Sequence, residues 1–154
     1  MPTNLSVKSK PWDMKTIFLN KIKERGGFTC HHAHFDKAYL ISNDNLVLSQ
    51  HDMQDKWRLY RELKKSYTFK DLYERISRAV EKMIEQGVTH CRSFIDADEL
   101  VGSLPLQAAL AVRDDYCHQI HLEFAVQPLE GVLEPRAQKA FVEACKLADI
   151  IGGL

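Results

Sequence analysis

The sequence predicts an α/β protein built as the first half of a TIM-like (β/α)8 barrel, with parallel strands alternating with helices. Three observations predict it. An amphipathic helical stretch, residues 70–86, stops at Gly87 and runs directly into the apolar stretch 88–95, which is the helix-to-strand step of a parallel sheet. The same alternation continues to the last residues. The stretch 28–37 places ligand-type side chains where a plain core strand would carry valine or isoleucine. A full barrel takes about 250 residues, and the alternation over 28–154 fills about four β/α units. Residues 1–27 are expected to form a leader and one short helix.

Pro2, Ser6, Ser9 and Pro11 show no periodicity, so the start reads as a leader, with Trp12 as an anchor. Ile17, Phe18 and Ile22 recur among lysines at helical spacing, and Gly26-Gly27 supplies the stop. In an extended chain side chains alternate. Cys30, His32, His34 and Asp36 should therefore share one face, and His31, Ala33 and Phe35 the other. Two imidazoles at i and i+2 on one rigid strand can reach a single first-row metal ion.

Residues 38–49 lack a period and contain Ser42-Asn43-Asp44-Asn45, so a loop is expected. Residues 50–65 read as a helix whose Met53, Trp57, Tyr60 and Leu63 form a stripe, taken as a core face in preference to a ligand-stacking one. His51 would open that helix. Thr68 and Asp71 suit a capping box, followed by the apolar face Leu72, Tyr73, Ile76, Ala79, Val80, Met83 and Ile84. Residues 104–115 suit a helix with Pro105 in its first turn. Residues 118–127 then alternate as a strand, with Ile120, Leu122, Phe124 and Val126 inward and His118 at the start. Residues 134–147 form another helix with Pro135 at N1, and 148–151 begin a fourth strand.

Composition narrows the function classes. Of 154 residues, 45% are hydrophobic and 27% charged, and 21 basic residues balance 21 acidic ones. A net charge of +0 gives no field for nucleic acid or an anionic membrane, and neither partner is expected. No apolar run has membrane-spanning length, and the start lacks a signal-peptide core, so a cytoplasmic chain is expected. Cys30, Cys91, Cys117 and Cys145 form no C-x-x-C pair and read as reduced thiols.

His32-Ala33-His34-Phe35-Asp36 resembles the H-x-H-x-D segment that ends the first barrel strand in the amidohydrolase superfamily, and Lys37 is similar to its cytosine deaminase-like branch. Residues 87–96 resemble the second strand of that branch, and residues 125–132 its third strand and exit turn. The resemblance covers the N-terminal part of the barrel. It implies a metal-dependent hydrolase in which metal-bound water attacks a C–N bond of an aminated heterocycle or cyclic amide. It implies His32 and His34 as ligands of a divalent metal, zinc or iron, and Gln127, Leu129 and Glu130 as substrate-binding residues.

Departures from the pattern are specific. Leu129 stands where the branch has a ring-reading glutamine, and Phe94 where it has a histidine, while Asp96 is retained. The branch's remaining ligands and its catalytic glutamate lie on later strands, so no catalytic residue is assigned within this chain. Metal binding by this chain alone is expected to be weak or absent. The alternative is a non-catalytic half-barrel module that forms a homodimer or completes a complementary chain. Its small-molecule partner, if the barrel is closed, would be a heterocycle. His90 and His121 are candidates for the same cavity, though more readily structural histidines, and Arg92 and Asp96 are read either as an internal polar pair or as a substrate contact.

Overall fold

The structure, a computed structural model, describes residues 13–43, 45–46 and 52–153. The expected leader with Trp12, and Asp44, Gln50 and His51, lie outside the described residues. Helix α1 (Met14–Glu24) opens on Asp13, whose carboxylate accepts from Thr16 N, and ends in the turn to Gly26-Gly27. Gly27 is required there. Its φ is +78°, and a Cβ would strike Thr89, whose hydroxyl donates to Gly26 O, and come 2.9 Å from Gly87 O.

Four strands follow, β1 (Phe28–Ala33), β2 (Val88–Asp96), β3 (His121–Gln127) and β4 (Ile150–Ile151). All pairings are parallel and the order is β1-β2-β3-β4, the arrangement of a partial TIM-like barrel. Between the strands lie α2 (Met53–Lys64), α3 (Phe69–Glu85), α4 (Leu104–Tyr116) and α5 (Pro135–Cys145). Helix α3 carries the clearest sequence signal: Leu72, Ile76, Ala79 and Val80 are buried on one face. Thr68 caps it, accepting from Asp71 N at 3.1 Å. The Asp71 carboxylate instead takes Arg75, at 2.9 and 3.0 Å.

One sheet face, carrying Cys91, Ile95, Leu122, Phe124 and Val126, joins these helices in the core, with Leu106, Ala109 and Val112 of α4 fully buried. The other face carries His90, Arg92, Phe94 and Asp96 on β2, in register with His121, Glu123, Ala125 and Gln127 on β3. That face is rich in polar groups, and its upper end holds the candidate site. No helix among the described residues is long and apolar enough to cross a membrane.

The structure corrects three expectations. Strand β1 shifts register between Cys30, paired with Cys91, and Ala33, paired with Ser93, so three steps on β1 match two on β2. This bulge breaks the alternation. Cys30 packs with Ala33 and Phe35 against the core and does not share a face with His32 and His34. Strand β3 begins at His121, with His118 in the preceding turn. Finally, the α2 stripe is not a core face: Met53 is 56% and Trp57 45% exposed, and the only buried residue of that helix is Lys64.

Candidate functional site

His32 leaves β1 just before its end, and His34 begins the short 3-10 turn Phe35–Lys37. The turn is held by Phe35 N donating to Ser93 Oγ at 2.9 Å and by Lys37 Nζ donating to Asp96 Oδ1 at 2.7 Å. The bulge and this turn together aim both imidazoles to one side. Their Nε2 atoms lie 3.0 Å apart. The Phe94 ring lies beside them, with centroids 4.8 Å from His32 and 5.8 Å from His34. Burial, reinforced by the Lys37 and His32 charges, holds His34 below the usual imidazole value, so its ring is neutral near pH 7.

Two imidazole nitrogens bound about 2.1 Å from one tetrahedral ion stand about 3.4 Å apart. The observed 3.0 Å is within a few tenths of that span, and a neutral His34 is the form that coordinates. The pair thus fits as part of a ligand set. Among the described residues no group of three His, Cys, Asp or Glu side chains converges to complete one.

Both histidines open on a cavity of about 550 Å³. Lys37, Phe94 and Gln127 continue its wall from the strand ends, Met53, Trp57 and Tyr60 enter from α2, and Leu129 and Gly153 complete the lining. Gly153 reaches it because the chain after β4 runs close to β3. Gly152 N donates to Val126 O at 2.7 Å, and a Cβ on Gly152 would itself come 2.7 Å from that oxygen.

Beneath the cavity lies a buried charge network that the sequence pattern does not reveal. Asp96 is wholly buried and meets Lys37 through Oδ1 and Lys64 through Oδ2, each at 2.7 Å. Lys64 also meets Asp98 at 2.6 Å, and Gln127 Nε2 donates to Asp96 Oδ1 at 2.8 Å. Burial opposes ionisation of Asp96, but the Lys37 and Lys64 charges outweigh it and hold the carboxyl below its ordinary value. Lys64 is likewise penalised by burial, yet Asp96 and Asp98 raise it above the ordinary lysine value. Asp36, buried nearby and accepting from Asp96 N at 3.2 Å, is pushed up by burial and by the Asp96 charge.

The sequence-predicted site residues separate into two groups. His32, His34, Gln127 and Leu129 come together on the histidine cavity. Glu130 does not: its carboxylate accepts from Arg61 Nη1 at 2.6 Å and lines a second cavity of about 590 Å³ with Arg58, Glu99 and Glu134. His90 and His121 sit side by side, ring centroids 5.5 Å apart, and share with His31 a cavity at the opposite, N-terminal ends of the strands. Arg92 and Asp96 do not pair. Arg92 binds Glu123 at 2.9 Å across the sheet.

The thiols differ in access. Cys91 is buried, and burial with Cys30 beside it pushes its thiol up to about 12, whereas Cys117 is exposed. Iodoacetamide at pH 8 should label Cys117 in the folded chain and leave Cys91 unlabelled until the protein is denatured, as read by peptide mass spectrometry. Rapid native labelling of Cys91 would contradict this packing.

No known family profile matches the sequence. A protein of Haemophilus influenzae (strain Rd), described only as uncharacterized, is 36% identical over 149 residues, covering 96% of this chain and 54% of that protein. The chain thus spans about half the length of this curated relative. Among solved structures, the 5-methylcytosine deaminase of Klebsiella pneumoniae liganded with 5-fluorocytosine superposes with a TM-score of 0.72 at 26% identity, over 82% of this chain and 31% of that one. Its phosphonocytosine complex gives 0.71 at the same identity. N-isopropylammelide isopropylaminohydrolase from Burkholderia multivorans gives 0.67 at 23% identity, over 82% of this chain and 32% of that enzyme. The fold is amidohydrolase-like, and the match covers about a third of each solved chain.

Proposed function

We propose that this chain forms the metal-binding first portion of an amidohydrolase-type barrel that hydrolyses a C–N bond of an aminated heterocycle or cyclic amide. The carrying observation is the convergence of His32 and His34 at the carboxyl ends of parallel strands, over a cavity walled by aromatic and amide side chains. The relation to deaminase and aminohydrolase barrels supports the reaction class. When bound, a divalent ion, zinc or iron, would supply a Lewis acid that makes hydroxide available near neutral pH.

The chain's own residues have defined tasks. His32 and His34 would hold the ion. Phe94 backs both rings. The Lys37, Lys64 and Asp96 network fixes the strand ends from below and takes one N–H of the Gln127 amide, which orients its carbonyl oxygen as an acceptor for a ring N–H. No carboxylate lines the cavity among the described residues, so proton transfer requires a group from elsewhere in the closed barrel. Turnover by this chain alone is therefore expected to be negligible. A cytoplasmic location belongs to the same proposal and is supported by four free cysteines.

A second reading is a half-barrel module that dimerises or completes another chain. Its support is the pair of outer strands: Phe28 on β1 is 43% exposed and Ile151 on β4 is 68% exposed. Native mass spectrometry after zinc or iron loading tests both. We expect weak metal uptake under excess zinc or iron, lost in His32→Ala/His34→Ala with an unchanged circular dichroism spectrum. Equal metal content in the double variant would overturn the ligand assignment. A metal-free dimer would favour the module.

A further inference from the structure

The helix α2 reaches over the strand ends in a way that neither its burial nor the ligand assignment accounts for. Its C-terminal end is anchored by Lys64, buried against Asp96 and Asp98, and by Arg61 on Glu130. Its apolar stripe then has no core to enter. Met53, Trp57 and Tyr60 instead line the histidine cavity, and Trp57 keeps 45% of its surface exposed. An indole left half-bare on an anchored helix, lining the same cavity as two imidazoles and Phe94, is a preformed aromatic surface. Trp57 also lines the charged cavity containing Arg58, Glu99 and Glu134, as does Leu129. These two side chains therefore stand where the polar and the aromatic cavities meet.

We infer that Trp57 is the ring-stacking residue of the histidine cavity and that, with Leu129, it selects flat aromatic rings over saturated compounds of like size. This rests on the proposed reading of the cavity as a heterocycle site. Stacking on an aromatic side chain rewards a planar π-face whatever the ring's edge atoms. Gln127, with one amide N–H on Asp96, supplies an acceptor for a ring N–H, and Leu129 offers no hydrogen bond to a charged substituent. The anchoring ion pairs hold the helix bearing Trp57 in place before any ligand arrives, which limits the entropy lost on binding.

The test uses the whole chain and two probes, cytosine and the saturated lactam 2-piperidone, which keeps an N–H donor and lacks an aromatic face. The chain has two tryptophans, so Trp12→Phe leaves Trp57 as the single indole reporter. Cytosine should quench that fluorescence saturably, and calorimetry should show it binding at least tenfold more tightly than 2-piperidone. Trp57→Leu should reduce that preference to within about twofold, and Trp57→Phe should retain most of it. Zinc content should be the same in all three proteins, because Trp57 does not hold the metal. Absence of saturable quenching, or an undiminished preference in Trp57→Leu, overturns the inference. Zinc uptake unchanged in His32→Ala/His34→Ala would instead count against the proposed function, so the two failures are distinguishable.

Discussion

Lys64→Ala should destabilise the fold by about 3–5 kcal/mol, the largest effect expected of any ion pair among the described residues. The Lys64 side chain is 1% exposed and its ammonium lies 2.7 Å from Asp96 and 2.6 Å from Asp98, both wholly enclosed. Removing the cation leaves two buried carboxylates with reduced compensation, although Asp96 keeps Lys37 and Asp98 keeps the N–H groups of Leu100 and Val101. Lys64→Met separates charge from volume. It keeps the aliphatic stem and should cost nearly as much, as read from urea unfolding. Wild-type stability in Lys64→Met would refute the electrostatic account.

The same variant carries a pH signature. Asp96 is depressed in the folded state, so its contribution is complete above the unfolded carboxylate value, about 3.9, and is lost as pH falls through the folded value. Removing Lys64 brings the folded value up. The acid-unfolding midpoint of Lys64→Ala should therefore move to higher pH than that of wild type. Asp36 acts in the opposite sense, because its raised folded value favours folding at low pH and loses that advantage as pH rises. Comparing variant and wild type across one pH series removes whatever part of the Asp36 term both share.

Phe124→Ala should cost about 3–5 kcal/mol and lower the melting temperature by about 10 °C, given 2–4 °C per kcal/mol for a chain of this size. Phe124 is 0% exposed and heads the wholly buried side chains by volume. It sits on β3 between the helices, with the Arg113 guanidinium 5.7 Å from its ring centroid. Truncation opens a cavity that Leu122 and Val126, on the same strand, cannot close by moving. Phe124→Leu should cost clearly less, because most of the volume stays. Equal losses in the two variants would mean that ring shape, not cavity size, sets the penalty. The histidine cavity should survive in Phe124→Leu, since His32 and His34 contact Phe94 on the opposite sheet face.

Much of the architecture was legible locally. Helix α3 announces itself through Thr68, its buried stripe and Gly87 at φ +84°, each a short-range signal that tertiary packing reinforces. Strand β3 likewise shows its period of two: Leu122, Phe124 and Val126 are buried as that period requires, with Ile120 buried just before the strand. His32 and His34 stood out because imidazoles are unusual in a core strand. The alternation rule nevertheless misplaced Cys30, because it counts residues and a bulge adds one without any sequence mark.

What the sequence by itself determined is therefore the order and type of the elements, and the two imidazoles at a strand end, since both follow from periodicities and residue chemistry along the chain. The tertiary structure alone decided where Lys64 and Trp57 act. Both lie on one helix with an unremarkable amphipathic pattern, and Asp96 and Asp98, more than 30 positions away in sequence, meet that lysine. A side chain's partners across such separations depend on how the helix crosses the strand ends, and no local period encodes that crossing. The same geometry turned an expected core stripe into a cavity wall and drew Glu130 away to Arg61.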